Sequence, residues 1–136
     1  MKITFFTKAF VAVAAFALSF AAMADKTTVY GVTYTYDIVA VFGDPSTPET
    51  ARITKAEIGS VKAVQVPGTL GGKPVASIGS SAFKDCTALE EIDLPDTVTK
   101  IWDSAFMGCT ALWRVGGGRN LAEINNYAFH GCSSLK

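Results

Sequence analysis

Five apolar columns recur three times at one fixed spacing, and this recurrence limits what the chain can fold into more than any other feature. Ile78, Ala82, Phe83, Cys86 and Leu89 return 23 residues later as Ile101, Ala105, Phe106, Cys109 and Leu112. After another 23 they return as Ile124, Ala128, Phe129, Cys132 and Leu135. Self-similarity at a period of roughly 20–50 residues is the mark of a solenoid or another repeat architecture. One such unit is too short to bury its own apolar face. Stacked units bury Ile on Ile, Phe on Phe, Cys on Cys and Leu on Leu in ladders, with rungs about 5 Å apart and backbone hydrogen bonds passing between them.

Each unit divides into two parts. Glu91-Ile92-Asp93-Leu94 alternates two apolar residues with two acids, the period of a half-buried strand, and Pro95 ends it because proline donates nothing to a ladder. Val64-Gln65-Val66-Pro67 fills the same role in a first, longer unit, where a turn-rich loop over residues 68–74 precedes Val75 and Ile78. In the third unit Val115 holds the Ile92 column, but Gly117 and Gly118 replace Leu94 and Pro95, so a short or irregular strand is expected there. The Ala-Phe-x-x-Cys-x-x-Leu stretch spaces its apolar residues three apart, which suits one or two helical turns.

Both halves together resemble the BspA-like leucine-rich repeat family, in which Leu-x-x-Ile-x-Leu-Pro is followed by Ile-Gly-x-x-Ala-Phe-x-x-Cys-x-x-Leu. The resemblance covers roughly residues 61–136. It implies an α+β, right-handed leucine-rich-repeat solenoid of short strands and short helical turns. It also implies a secreted or surface protein acting in adhesion or protein binding. The units fall at about 61–88, 89–111 and 112–136, the last incomplete. Trp102 departs from the pattern, standing where Gly79 stands in the first unit and where the family prefers glycine. If that column required positive φ, Trp would carry a backbone cost that glycine avoids.

Residues 1–24 read as a signal peptide. Lys2 and Lys8 give the positive start, residues 9–20 an apolar core, and Ala22-Met23-Ala24 a small-x-small cleavage site. The apolar run is well short of the ~20 residues a spanning helix needs, so no membrane insertion is expected after cleavage following Ala24. No Cys follows that site to take a lipid anchor. Removing 24 of 136 residues leaves 112, with 10 basic and 12 acidic side chains. That near-balance, without a basic patch, supplies no electrostatic footprint for nucleic acid. Secretion to the periplasm, the medium or the cell surface is the expected destination.

Residues 25–60 are expected to form a β-rich cap. Residues 29–42 are dense in β-branched and aromatic side chains, with a turn near Gly31, and residues 51–58 read as a further strand. A cap there would cover the open edge and core of the first rung. At the other end Lys136 directly follows Leu135. The expectation is a chain that continues, or a last rung that is exposed or paired with another chain.

Chemistry finds little support. Three cysteines in a secreted chain would ordinarily flag a reactive thiol, but Cys86, Cys109 and Cys132 share one repeat column and read as a ladder of buried thiols. No Cys-x-x-Cys spacing points to a metal. His130 sits in a variable column with no nucleophile motif beside it. Asp85, Glu90, Glu91 and Asp93 form an acidic cluster on what reads as a solvated face, with neither the cleft nor the fixed separation a paired-carboxylate hydrolase needs. No catalytic residue, metal or cofactor is expected.

The better lead is a protein-binding surface. Trp102, Trp113 and Tyr127 fall outside the ladders, Arg114 adjoins Trp113, and aromatic and arginine side chains dominate binding hot spots. Gln65, Glu91, Asp93 and Arg114 are expected on the outward side of the strands. The partner class is a protein, on a host or neighbouring cell. The alternative is a non-catalytic spacer in a longer surface protein.

Overall fold

The computed structural model of the protein describes residues 24–40 and 46–136. The signal-peptide reading of residues 1–24 falls almost wholly outside them. β1 (Asp25–Val29), mostly polar, and β2 (Val32–Val39), which buries Val32, Tyr34 and Tyr36 at alternate positions, form an antiparallel hairpin. Tyr30 and Gly31 form its turn, both at positive φ (50° and 80°), as a tight two-residue hairpin loop requires. β3 (Thr50–Glu57) returns antiparallel to β2 and then pairs in parallel with the repeats. Residues 51–58 are thus mainly strand.

The repeats supply two strands per turn of the solenoid. β4 (Ala63–Gln65), β7 (Glu91–Leu94) and β9 (Arg114–Gly117) form a three-stranded parallel sheet. β6 (Lys73–Ile78), β8 (Lys100–Ile101) and β10 (Glu123–Ile124) continue the sheet begun by β1–β3. The 68–74 loop contains the short β5 (Thr69–Leu70), which pairs with the start of β6. Registers match the 23-residue spacing: Ile92 opposes Val115, and Ile78, Ile101 and Ile124 align across β6, β8 and β10.

The core is the inside of these turns. Phe83 and Phe106 are fully buried, and Phe106 stacks between Phe83 and Phe129 with centroids 5.1 Å away on each side. Ile78, Ile101, Leu89 and Leu112 are buried with them, whereas Phe129 is only partly buried and Ile124 is 55% exposed, no further rung lying over them among the described residues. The thiol column is also a hydrogen-bond column. Cys109 Sγ donates to the carbonyl of Phe83 (3.0 Å) and Cys132 Sγ to that of Phe106 (3.1 Å). All three thiols are free, with Cys109 buried and the outer two partly so.

The expected helical turns are absent, and with them the α+β class: among the described residues there is no helix. The backbone bonds give the reason. In the arc from Ser81 to Cys86, alternate amides serve different partners. Those of Ala82, Lys84 and Cys86 close local turns onto Gly79, Ser81 and Phe83. Those of Ser81, Phe83 and Asp85 reach the carbonyls of Asp103, Ala105 and Met107 in the next rung. The second arc repeats this, with Ser104, Phe106 and Gly108 donating to Asn126, Ala128 and His130. A helix would need every amide for its own i−4 carbonyl. Left-handed residues at Ser81, Asp85, Ser104 and Gly108 break the helical path as well.

Two local expectations also change. Gly79 does not have positive φ; a Cβ there would lie 2.5 Å from the Ile53 carbonyl oxygen, so glycine serves close docking of β3. Trp102 meets Ile78 at the same position through an ordinary 2.9 Å hydrogen bond and carries no positive-φ strain. β9 is as long as β7 and pairs with it at all four positions, so it is not short, but it is irregular as expected: Gly117 ends it at positive φ (73°).

Candidate functional site

The β4-β7-β9 sheet brings four of the expected site residues together. Ala63, Glu91 and Arg114 form one outward row across it, and Gln65, Asp93 and Gly116 the next. Arg114 reaches both acids of β7, with Nη1 3.2 Å from Glu91 Oε2 and Nη2 3.2 Å from Asp93 Oδ1. Gly116 makes this possible, because a Cβ there would occupy the space held by the Asp93 carboxylate and the Arg114 guanidinium. The paired acids, Asp93 foremost, hold the Arg114 guanidinium above its ordinary pKa. Beside this cluster Ala63, Val64, Gln65, Glu91 and Asp93 line a shallow concavity. Trp113, 48% exposed, immediately precedes Arg114, and the two line a separate, more apolar concavity with Val115, Leu121 and Phe129.

The other two aromatics lie elsewhere. Trp102 follows β8 on the larger sheet and is half-buried. Lys100 Nζ sits 3.9 Å from its ring centroid, and its indole N–H is buried without an acceptor. Tyr127 is 68% exposed in the third arc at positive φ (56°), edge-on to His130 with centroids 5.7 Å apart. His130 therefore pairs with a phenol ring. Tyr30, 80% exposed at the hairpin tip, went unnoticed in the sequence; a Tyr-Gly pair between alternating runs was the available signal. The acidic cluster is dispersed into ion pairs, Glu90 to Lys62 (2.8 Å) and Glu91 and Asp93 to Arg114. Among the described residues no group of His, Cys, Asp and Glu could hold a metal, and no helix is long and apolar enough to cross a membrane.

The profile described as "BspA type Leucine rich repeat region (6 copies)" matches residues 60–136, more than half of the sequence. The chain belongs to the BspA-type leucine-rich repeat family. Solved structures of bacterial leucine-rich repeat proteins agree. The T. pallidum leucine-rich repeat protein is 32% identical over 82% of this BspA-type chain and 48% of its own, with a TM-score of 0.67. A leucine-rich repeat protein from Bacteroides capillosus is 30% identical over 82% of this chain and 78% of its own, with a TM-score of 0.65. A leucine-rich cell surface protein from Faecalibacterium prausnitzii is 31% identical, and the match covers 82% of this chain and 29% of that one, with a TM-score of 0.63. The BspA-type chain thus spans about half of the treponemal protein and under a third of the Faecalibacterium one. No curated protein matches the sequence.

Proposed function

We propose that this is a secreted or cell-surface recognition module that binds a protein partner through the outward face of β4, β7 and β9, without chemistry. The observation that carries the reading is the Arg114–Glu91–Asp93 cluster, set on a rigid sheet beside the exposed Trp113. An aromatic ring adjoining an arginine, here Trp113 directly before the first residue of β9, is the composition of a binding hot spot. The open strand face of a solenoid offers the extended surface on which such contacts accumulate. Gln65 extends the same face, while Trp102 and Tyr127 contribute from other sides only to a partner that wraps around the rungs.

Residues 1–24 act as the signal peptide in this reading, and residues 25–60 as the cap. Export is tested by the N-terminal mass of the protein recovered outside the cytoplasm, expected to start at Asp25; a retained Met1 overturns it. Binding is tested by isolating extracellular or surface proteins on the immobilised chain and titrating each capture against wild type and a Trp113→Ala, Arg114→Ala double variant. An affinity loss of about 2 kcal/mol or more is expected at such a site, and unchanged affinity rules the face out. The relative that names a cell surface location is one of which this chain covers 29%. That proportion favours, as the second reading, a spacer module whose partner contacts lie elsewhere.

A further inference from the structure

On the larger sheet, away from the β4-β7-β9 face, Arg52, Thr54, Gly79, Ser80 and Trp102 line a concavity of about 320 Å³, at the small end of the range for ligand sites. It exists because one repeat column carries two very different residues. Gly79, docked against the Ile53 carbonyl, has no side chain to fill the space, and Trp102, one rung on, raises a ring beside it. Arg52 and Thr54 come from alternate, partly exposed positions of β3. The charges nearby form one cross-strand row: Asp37, Arg52, Ser77, Lys100 and Glu123 are in register across β2, β3, β6, β8 and β10. Each cation has its acid on the outer side, Asp37 at 2.9 Å from Arg52 and Glu123 at 2.9 Å from Lys100. Arg52 and Lys100 therefore flank the small Ser77 with no acid between them. Lys100 Nζ also lies 3.9 Å from the Trp102 ring centroid, which draws charge from the ring and strengthens the indole N–H as a donor. That N–H is buried without an acceptor, a costly state for a polar group. Thr54 Oγ1 donates to the Thr35 carbonyl, which leaves its lone pairs to accept, and Ser80 is exposed. The lining thus offers a guanidinium, an indole N–H, two hydroxyls and an aromatic ring, but no carboxylate.

We infer that this concavity binds a uronic acid unit, a pyranose ring carrying one carboxylate. The carboxylate supplies the acceptor that the lining lacks: it meets the Arg52 guanidinium, and a small turn of the Trp102 ring brings the indole N–H to it. The C–H face of the sugar lies on the side of the Trp102 ring that Lys100 does not cover. Sugar hydroxyls donate to Thr54 and exchange hydrogen bonds with Ser80. A neutral hexose gives the cation pair nothing to bind, and a bare carboxylate leaves the aromatic ring and both hydroxyls unused. The site is peculiar to this chain, because it needs Trp102 in a column where the first rung has glycine.

The probes are sodium glucuronate and sodium galacturonate, titrated into the full chain while the two indole N–H signals and the Ser80 amide are followed by NMR. At least one of them should shift the Trp102 and Ser80 signals with a dissociation constant of about 1 mM and leave Trp113 unmoved. Glucose and acetate should each bind at least about tenfold more weakly. Trp102→Phe keeps an aromatic ring but removes the N–H, and should weaken uronate binding about tenfold at the Ser80 amide. Ser80→Glu changes an exposed residue, leaves the core alone, and should abolish binding by placing a carboxylate at the rim. No shift with either uronate overturns the inference. So does equal binding of glucose or acetate, or undiminished uronate binding by Ser80→Glu. The Trp113→Ala, Arg114→Ala double variant should bind uronate as wild type does, so this site and the sheet-face reading can each fail alone.

Discussion

Replacing Phe106 with alanine removes the centre of the aromatic ladder, and its cost follows from position. The ring is fully buried and stacked on both faces at 5.1 Å. A buried phenyl withdraws at least ~150 Å² from water, which at ~25 cal/mol per Å² is about 4 kcal/mol. Phe-to-Ala substitutions in packed cores cost about 3–5 kcal/mol for the same reason plus the cavity they leave. Phe129 sits in the same column but has one stacking neighbour and only part of its surface covered, so Phe129→Ala should cost roughly half as much, about 2 kcal/mol. Urea unfolding followed by far-ultraviolet circular dichroism measures both, with the midpoint shift as the primary readout because short repeat arrays can depart from two-state behaviour. Equal losses at the two positions would refute the stacking order, since they would require the end rung to be as deeply covered as the middle one. A loss below about 1 kcal/mol at Phe106 would show that the ladder is not the core.

Alkaline pH should destabilise the fold in two stages. The contact with the Cys86 thiol, then burial, raises the Cys109 pKa, and burial raises Tyr34 from 10.0 to about 12. Both are acids whose ionised form the fold disfavours, so the stability they confer is intact below their ordinary values and is lost as pH rises past them. The thermal midpoint should fall from about pH 9 upward and more steeply between 10 and 12, with Cys109→Ala reducing the slope throughout and Tyr34→Phe removing the added slope of the 10-to-12 window; a level profile to pH 12 would contradict both assignments. Gly79→Ala should lower the midpoint by pushing β3 from the Ile53 carbonyl, while Trp102→Gly in the same column should give no gain from backbone relief; stabilisation by Trp102→Gly would restore the positive-φ explanation. Gly108→Ala should cost at least ~1–2 kcal/mol, since φ is +77° and the new Cβ meets the Asp85 carboxylate. Adding Asp85→Gly should recover part of that loss, and additive losses would remove the contact from the explanation.

The ladders were legible because one unit of this length has nowhere to bury its apolar columns except against its copies. The arc was misread because Ala-Phe-x-x-Cys-x-x-Leu spacing is shared by a helix and by a chain of turns. What separates them is the destination of alternate amides, and the Phe83 amide goes to Ala105, a partner 22 residues away. The length of β9 was underrated for a similar reason: Gly116 and Gly117 have little strand preference, yet β7 supplies their register, while the irregularity read from the glycine run is present as positive φ at Gly117. At the candidate site, column position was enough to place Gln65, Glu91, Asp93 and Arg114 on one face. It could not reveal that Arg114 bridges both acids, because that depends on the missing Cβ of Gly116. Nor could it separate Trp102 from Trp113, since variability of a column says nothing about the Lys100 side chain lying over the ring.

Site-directed photocrosslinking on intact producing cells and their contacts tests the binding role most directly. A photoreactive side chain at Gln65, on the β4-β7-β9 face, should yield a discrete protein adduct, and one at Lys84, out on the first arc, should not. Adducts from position 84 with none from position 65 would contradict recognition through the sheet face.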